Sequence, residues 1–382
     1  MSDLVSSQSV TAAPSIAILG VPFDNVSTAQ AVELIERMVA SRRPHYLATA
    51  NVDFLVQSAT DEELRHILLD AHLVLCDGTP LVWASRWLGN PLAERVAGSD
   101  LIPLLIQVAA TKGYRLFFLG GREDINEKAV QNIRAKHPGV QIAGFYSPPF
   151  APLAQMDHAA IRARIREAKP DLLLVSFGCP KQEKWIALNY EKLGVPVSVG
   201  VGATIDFLAG AVSRAPRWMQ RSGLEWLFRL LQEPRRLFKR YVKDFWVFGR
   251  ALLWQWWKLK GRSPLVRSSS RPPPITCPVE HQISFPERLD AATVQEHQAT
   301  WESALAASGE TRLDLSAVTF IDSTGVGLLI RLARKSRERG SRIVLVRPSE
   351  AVDKALRLMR LSDFFSVVPV DAVTPLDLKS AA

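Results

Sequence analysis

The sequence predicts an α/β protein: a Rossmann-like body with a mostly parallel sheet, a basic helical appendage closing that body, and a small second α/β module. Three observations carry this. Six short apolar runs alternate with helix-patterned segments before residue 203, the rhythm of a parallel sheet with crossover helices. A stretch rich in Pro, Ser and Arg, GRSPLVRSSSRPPPITCP at 261–278, then breaks the pattern and reads as a stiff, solvated linker. Behind it a strand–turn–helix–strand pattern resumes in RLDLSAVTFIDSTGVGLLIRLARKSRERGSRIVLVRP.

In chain order, the lead MSDLVSSQSVTAAPS at 1–15 has neither a basic start nor an apolar run, so it is expected to be disordered and not a secretory signal. The candidate strands are HYLAT (45–49), LVLC (73–76), RLFFLG (115–120), QIAGFY (141–146), LLLVSFG (172–178) and VSVGVG (197–202). Each is continuously apolar, as strands covered on both faces should be. Helical patterns lie between them, in TAQAVELIERMVA, DEELRHILLDA, SDLIPLLIQVAATKG and INEKAVQNIRAKH. The body is expected over 16–260, with its appendage at about 214–260. The linker follows at 261–276, the second module at 277–371 and a short tail at 372–382.

The chain has 382 residues and a net charge of +9. That charge is concentrated: between residues 211 and 262 thirteen basic residues face three acidic ones, a local balance of +10. Six of the ten tryptophans lie in the same window. Basic charge mixed with aromatics suits either a nucleic-acid groove or an interfacial membrane helix. The apolar positions Leu237, Tyr241, Phe245, Phe248, Leu252 and Trp256 recur at helical spacing, which favours a membrane or core helix and no nucleic acid. The most apolar stretch, FWVFGRALLWQWW at 245–257, is interrupted by Arg250 and is too short to span a bilayer. Three scattered cysteines without a CxxC pair point to a reducing compartment and to neither a disulfide framework nor a zinc site. The expected location is the cytoplasm.

In open α/β sheets, ligands gather at the carboxyl ends of the strands. Thr49 and Asn51 follow the first candidate strand, Asp77 and Gly78 the second, Gly120 and Gly121 the third. Lys181 and Gln182 follow the fifth, and Asp206 lies just past the sixth. Glycines there let backbone N–H groups approach a phosphate, and a helix start behind them favours anions. Asp206 and Gln182 are suited to sugar hydroxyls, and Asp77 to the work of a general base. Taken singly, a strand-end Gly-Gly or Asp-Gly is an ordinary turn; their shared edge gives the set its force.

TANVDF, CDGTPLVW, LFFLGG, FGCPKQEKWI, GVGATIDFLAG and RAPRWMQRSGLEWLFRLLQEPRRLFKRY together resemble the WecG/TagA/CpsF glycosyltransferases, in order and in spacing, over about residues 16–257. The resemblance implies transfer of a sugar, typically of the N-acetylmannosamine type, from a UDP-sugar to a polyprenyl-diphosphate-linked sugar, with inversion at the anomeric carbon. It implies work at the inner face of the bacterial cytoplasmic membrane in cell-surface polysaccharide synthesis. Asp77 matches the family's proposed base and Thr49 a neighbouring active-site residue. Gln182 and Asp206 match donor contacts, and Arg229, Arg236 and Arg240 fall in the segment assigned to the acceptor's diphosphate. No DxD stands near the strand ends, so no metal or other cofactor is expected. The leaving UDP would then depend on N–H groups and cations.

FPERLDAATV, LDLSAVTFIDSTGVGLLI and GSRIVLVRP are similar to a STAS domain, which implies a regulatory protein partner. The family's phosphorylated hydroxyl maps onto Thr324, although DSTG equally fits a plain helix N-cap. The module is expected to be dispensable for chemistry. The rival reading is a non-enzymatic STAS regulator on a degenerate transferase body, against which the intact strand-end set argues.

Overall fold

The computed structural model describes residues 14–260 and 281–368. The expected linker, the tail and all but the last two residues of the lead lie outside the described residues. Two compact units are present: residues 26–258, and the described residues before 26 together with those after 258.

The chain opens with an antiparallel hairpin, β1 (Ile16–Ile18) and β2 (Val21–Phe23), grouped with the second unit. The first unit then runs α1 (Thr28–Ser41), β3 (His45–Ala50), α2 (Val52–Ser58), α3 (Glu62–Asp70), β4 (Leu73–Cys76), α4 (Thr79–Trp87) and α5 (Gly98–Lys112). It continues through β5 (Arg115–Gly120), α6 (Glu123–Lys136), β6 (Gln141–Tyr146), α7 (His158–Ala168), β7 (Leu172–Ser176), α8 (Lys181–Leu193), β8 (Val197–Gly200) and α9 (Thr204–Leu208). The appendage supplies α10 (Arg217–Arg221), α11 (Glu225–Gln232) and α12 (Pro234–Lys260).

All six expected strands form, and they pair only in parallel, in the order β4-β3-β8-β7-β5-β6. Leu47, Leu75, Phe118, Leu174 and Val199 are wholly or almost wholly buried between the helical layers, which is why these runs read as continuously apolar. From β5 the chain moves outward to β6, and from β7 it moves inward to β8. The loops after β5 and β7 therefore leave in opposite directions, an arrangement that opens a crevice at the strand ends.

Helix starts follow local chemistry. Ser27 and Gln30 form a reciprocal capping box at α1, while Asn51, Asp61 and Asp157 cap α2, α3 and α7. Along α12 one stripe is buried, through Leu237, Asp244, Phe248, Leu252 and Gln255. A second stripe, with Phe238, Phe245, Trp246, Leu253 and Trp257, is exposed. Of the apolar row that suited either a membrane or a core helix, Leu237, Phe248 and Leu252 are buried, and Phe245 is on the outer face.

The second unit adds β9 (Gln282–Ser284), β10 (Arg288–Leu289), α13 (Ala291–Ser303), β11 (Gly309–Asp314), β12 (Phe320–Ile321), α14 (Ser323–Glu338), β13 (Ser341–Val346), α15 (Glu350–Leu358) and β14 (Ser366–Val368). Its four-stranded sheet, β14-β13-β11-β9, is again parallel. Within this unit the hairpin lies against α14, so by packing it belongs with the module, whereas the sequence pattern places residues 16–23 in the body.

Candidate active site

Because every strand of the large sheet runs the same way, the residues after β3, β4, β5, β7 and β8 meet at one edge. Asp77 follows β4 directly. Its backbone N–H donates to the Ala50 carbonyl at 2.9 Å, and its Oδ2 accepts from the Gly98 N–H at 3.4 Å, the first residue of α5. A carboxylate at a helix start is stabilised by the unpaired N–H groups there. Burial nevertheless dominates and raises the carboxyl above the usual Asp range, opposed by the nearby Arg95 and Arg229. A base raised in this way accepts a proton more readily than a solvated Asp. Thr49 is buried beside it, and the Gly98 backbone approaches so closely that an added Cβ would lie 3.4 Å from Thr49 Oγ1.

Asn51 has a structural duty: its Oδ1 accepts from the Phe54 N–H at 3.3 Å and caps α2. The turn after β5 requires glycine twice, since Gly120 and Gly121 have φ of +91° and +70°. A Cβ on Gly120 would lie 2.6 Å from the Ser176 carbonyl and the Phe177 ring. The Gly121 N–H donates to the Ser176 carbonyl at 3.0 Å, tying the β5 and β7 loops together.

Gln182 occupies a different place from the one expected of a sugar-hydroxyl reader. It is buried, and its Oε1 accepts from the N–H groups of both Gly178 and Gly202 at 3.2 Å. Its Nε2 donates to Glu183 Oε1 at 2.7 Å. Gln182 therefore staples the β7 loop to the β8 loop. Lys181 also turns aside: its Nζ donates to the Ala151 carbonyl at 2.5 Å and lies 5.2 Å from the rings of Phe150 and Phe177. Asp206 sits half-buried in the first turn of α9.

The appendage closes over this edge. Gly223, at the α10–α11 turn with φ +75°, lies so close to Thr79 that a Cβ would approach its Cγ2 to 2.6 Å, two residues beyond Asp77. Arg229 on α11 lies over the Phe207 ring at 5.0 Å, near enough to favour the ionised form of Asp77. Arg240 on α12 reaches Asp53 Oδ2 at 4.0 Å. Arg236 is on the same helix, with its side chain outside the described set. Asp244, buried beside Asp53, has its carboxyl pushed up to about 6, by burial first and then by Asp53. Trp256 stacks on Trp87 of α4 with ring centres 5.3 Å apart.

The structure also brings in residues that sequence reasoning passes over. Arg95 contacts Asp100 at 2.7 Å and Glu225 at 3.1 Å, and Arg214 contacts the same two carboxylates at 2.7 and 3.2 Å. This four-membered network joins the loop before α5 to α11. Burial works against the charge on Glu225, but Arg214, Arg95 and Arg229 together hold it below the ordinary range. None of these residues follows a strand in sequence: Arg95 lies in the α4–α5 loop and is brought back to the end of β4 only in the fold, where the Val96 N–H donates to the Cys76 carbonyl at 2.9 Å.

In the second unit, Asp322 caps α14, its Oδ1 accepting from the Thr324 and Gly325 N–H groups at 2.8 and 2.9 Å. Thr324 is 2% exposed, and its hydroxyl has no hydrogen-bond partner among the described residues. A kinase would need this helix start to open before reaching it.

Residues 16–262 match the model of the glycosyl transferase WecG/TagA/CpsF family, and residues 278–369 match a model described as Mlab, STAS domain. Curated relatives from Staphylococcus aureus strains MW2 and MRSA252 are each 30% identical over 222 residues, 58% of this chain and 85% of the relative. Both are named N-acetylglucosaminyldiphosphoundecaprenol N-acetyl-beta-D-mannosaminyltransferase. Among solved structures, a Gly74Cys mutant of arylmalonate decarboxylase matches at 19% identity with a TM-score of 0.20, covering 44% of this chain and 79% of its own.

Proposed function

The chain belongs to the WecG/TagA/CpsF family of glycosyltransferases, and from that premise we propose that it is an inverting transferase moving a sugar of the N-acetylmannosamine type from a UDP-sugar to a polyprenyl-diphosphate-linked sugar. The observation that carries the reading is Asp77: a carboxylate at a strand end, on a helix N-terminus, with its proton affinity raised by burial and with Arg95 and Arg229 nearby.

In this reaction the acceptor hydroxyl attacks the anomeric carbon of the donor from the face opposite the UDP. Its proton passes to Asp77 Oδ, the new glycosidic bond forms, and the bond to the UDP oxygen breaks with inversion. Charge then develops on the departing diphosphate. The guanidinium groups of the appendage are suited to that charge, so no metal is required in this scheme, whereas the Gly121 N–H, expected to approach a phosphate, is taken by the Ser176 carbonyl. Gln182 serves the donor side indirectly, by holding two of the loops that rim it.

The acceptor is a lipid, and no helix among the described residues is long and apolar enough to cross a membrane. The exposed face of α12, with Phe238, Phe245, Trp246, Leu253 and Trp257 beside Arg235, Lys239 and Arg250, has the make-up of an interfacial helix on anionic lipid. We assign the enzyme on this basis to the inner face of the bacterial cytoplasmic membrane, in cell-surface polysaccharide synthesis, with the STAS module as its regulatory element.

The test is UDP release from a panel of UDP-sugars with N-acetylglucosaminyl-diphosphoundecaprenol as acceptor. Wild-type protein should release UDP only when the acceptor is present, and Asp77→Asn should lower turnover by ~10² to 10⁴ while donor binding persists. Wild-type-like turnover in Asp77→Asn would remove that carboxylate from the chemistry.

A further inference from the structure

The hairpin β1–β2 is an unusual start for a chain whose family match begins at residue 16, because its packing partner is a helix more than three hundred residues away in sequence. Leu19 and Gly20, both at positive φ, form its two-residue turn. Ser15, Ile16, Ala17, Ile18, Val21 and Phe23 are at most 2% exposed. The contact with α14 is close enough to require glycine: a Cβ on Gly327 would lie 2.0 Å from the Ser15 carbonyl oxygen. It is also charged. Asp24 is buried, accepts from the Ser15 hydroxyl at 2.7 Å, and faces Arg334 at 3.5 Å and Arg331 at 4.0 Å. Arg331 is in turn held by Glu302 of α13 at 2.7 Å. Breaking a buried ion pair on one side leaves the other charge stranded, so separating the hairpin from α14 carries a desolvation cost for Asp24 and Arg334.

Thr28 is four residues beyond Asp24, a reach of about 14 Å at full extension. Val26 is buried in the core of the transferase unit, and the Thr28 N–H donates to the Glu94 carboxylate. Glu94 precedes Arg95, the cation that pairs with Asp100 and Glu225 and favours ionisation of Asp77.

We propose that the hairpin is an intrachain ligand of the STAS module, and that its docking on α14 fixes the Asn25–Thr28 segment and with it the Glu94–Arg95 loop. The module then regulates the enzyme through this strap. Any partner or modification that loosens α14 near Gly327 frees the hairpin and, four residues later, the loop that carries Arg95. The consequence for catalysis rests on the transferase reading above, through the closeness of Arg95 to Asp77. The physical coupling itself does not.

Hydrogen exchange on the full-length protein tests it without any turnover measurement. Gly327→Leu puts a side chain where the Ser15 carbonyl lies. Exchange should accelerate at least tenfold both in residues 16–23 and in residues 93–97, while β7 (172–176) and β13 (341–346) keep wild-type rates. Unchanged exchange in 16–23 would show that the hairpin is not held at Gly327. A released hairpin with wild-type exchange at 93–97 would show docking without coupling, and would overturn the proposal. Should Gly327→Leu also loosen β13, Asp24→Ala, which lies on the hairpin side, decides between the same outcomes on the same two segments.

Discussion

Glu183 offers a test of the site's foundations that does not depend on knowing the substrate. It is 4% exposed, on the first turn of α8 directly beneath the loops stapled by Gln182. Its Oε1 takes the Gln182 amide at 2.7 Å, while Oε2 has no partner among the described residues. The β8 backbone presses on this pair, so that a Cβ on Gly200 would lie 2.7 Å from Glu183 Oε1 and 2.5 Å from Gln182 Nε2. Burial, only partly offset by the Gln182 bond, raises the carboxyl from 4.5 to about 7. Below the ordinary Glu value both folded and unfolded chains hold the proton, and the group contributes nothing to the pH dependence. Between 4.5 and about 7 the folded chain stays protonated while the unfolded chain ionises, so stability falls as pH rises.

At about 1.4 kcal/mol per pH unit, that window amounts to about 3 kcal/mol lost by pH 8, a large share of the 5–15 kcal/mol that typically holds a domain together. Glu183→Gln keeps the shape and an acceptor for Gln182 but cannot ionise. Denaturant unfolding of wild type and variant between pH 5 and 8.5 should give curves that diverge with pH, the variant gaining on wild type by about 3 kcal/mol across the range. Asp244, raised to about 6, slopes in the same direction in both proteins and cancels in the difference. Parallel curves would mean that the carboxylate is solvated or paired, and that the packing around Gln182 admits water or a cation.

Turnover should rise with pH along a limb displaced above the ordinary Asp range, because Asp77 must lose its proton to act and burial opposes that loss. Arg95→Met removes the cation that most favours its ionisation, so the limb should move to still higher pH; an unmoved limb would exclude Arg95 from tuning the base. On α12, Phe245→Asp together with Trp246→Asp should weaken binding to anionic vesicles at least tenfold, since two exposed aromatics are lost and two like charges face the lipid. The fold should survive, because Phe245 and Trp246 are 75% and 64% exposed. Equal vesicle binding would place the membrane contact elsewhere.

The sheet was legible because burial on both faces leaves a direct mark on sequence. HYLAT, LVLC and RLFFLG contain little but apolar side chains, and strands of a parallel sheet have few other solutions. IAILGVPF carries as strong an apolar signal, yet its partner is α14, a helix at the far end of the chain. An apolar run announces that it will be covered and is silent on what covers it. Pattern reasoning assigns such a run to its sequence neighbours, and here the covering surface is set by one glycine and two arginines in another module.

The site was legible in the same uneven way. Asp77 and the Gly120–Gly121 turn are where strand-end logic puts them, because topology alone fixes which residues follow a parallel strand. The direction of a side chain is a different matter, decided by the bonds competing for it. Gln182 has the right position to read a sugar hydroxyl, but the Gly178 and Gly202 N–H groups lie within 3.2 Å of its carbonyl oxygen. Unpaired N–H groups at buried loop ends are costly, so the side chain goes to them. Lys181 likewise finds the Ala151 carbonyl. Arg95 escaped notice for the converse reason: a lone arginine in a loop looks solvated until Asp100 and Glu225, 5 and 130 residues further on, are seen to converge on it. Residues that bond across elements are thus the least visible in sequence, and in this chain they include the groups that tune the base and hold the loops around it.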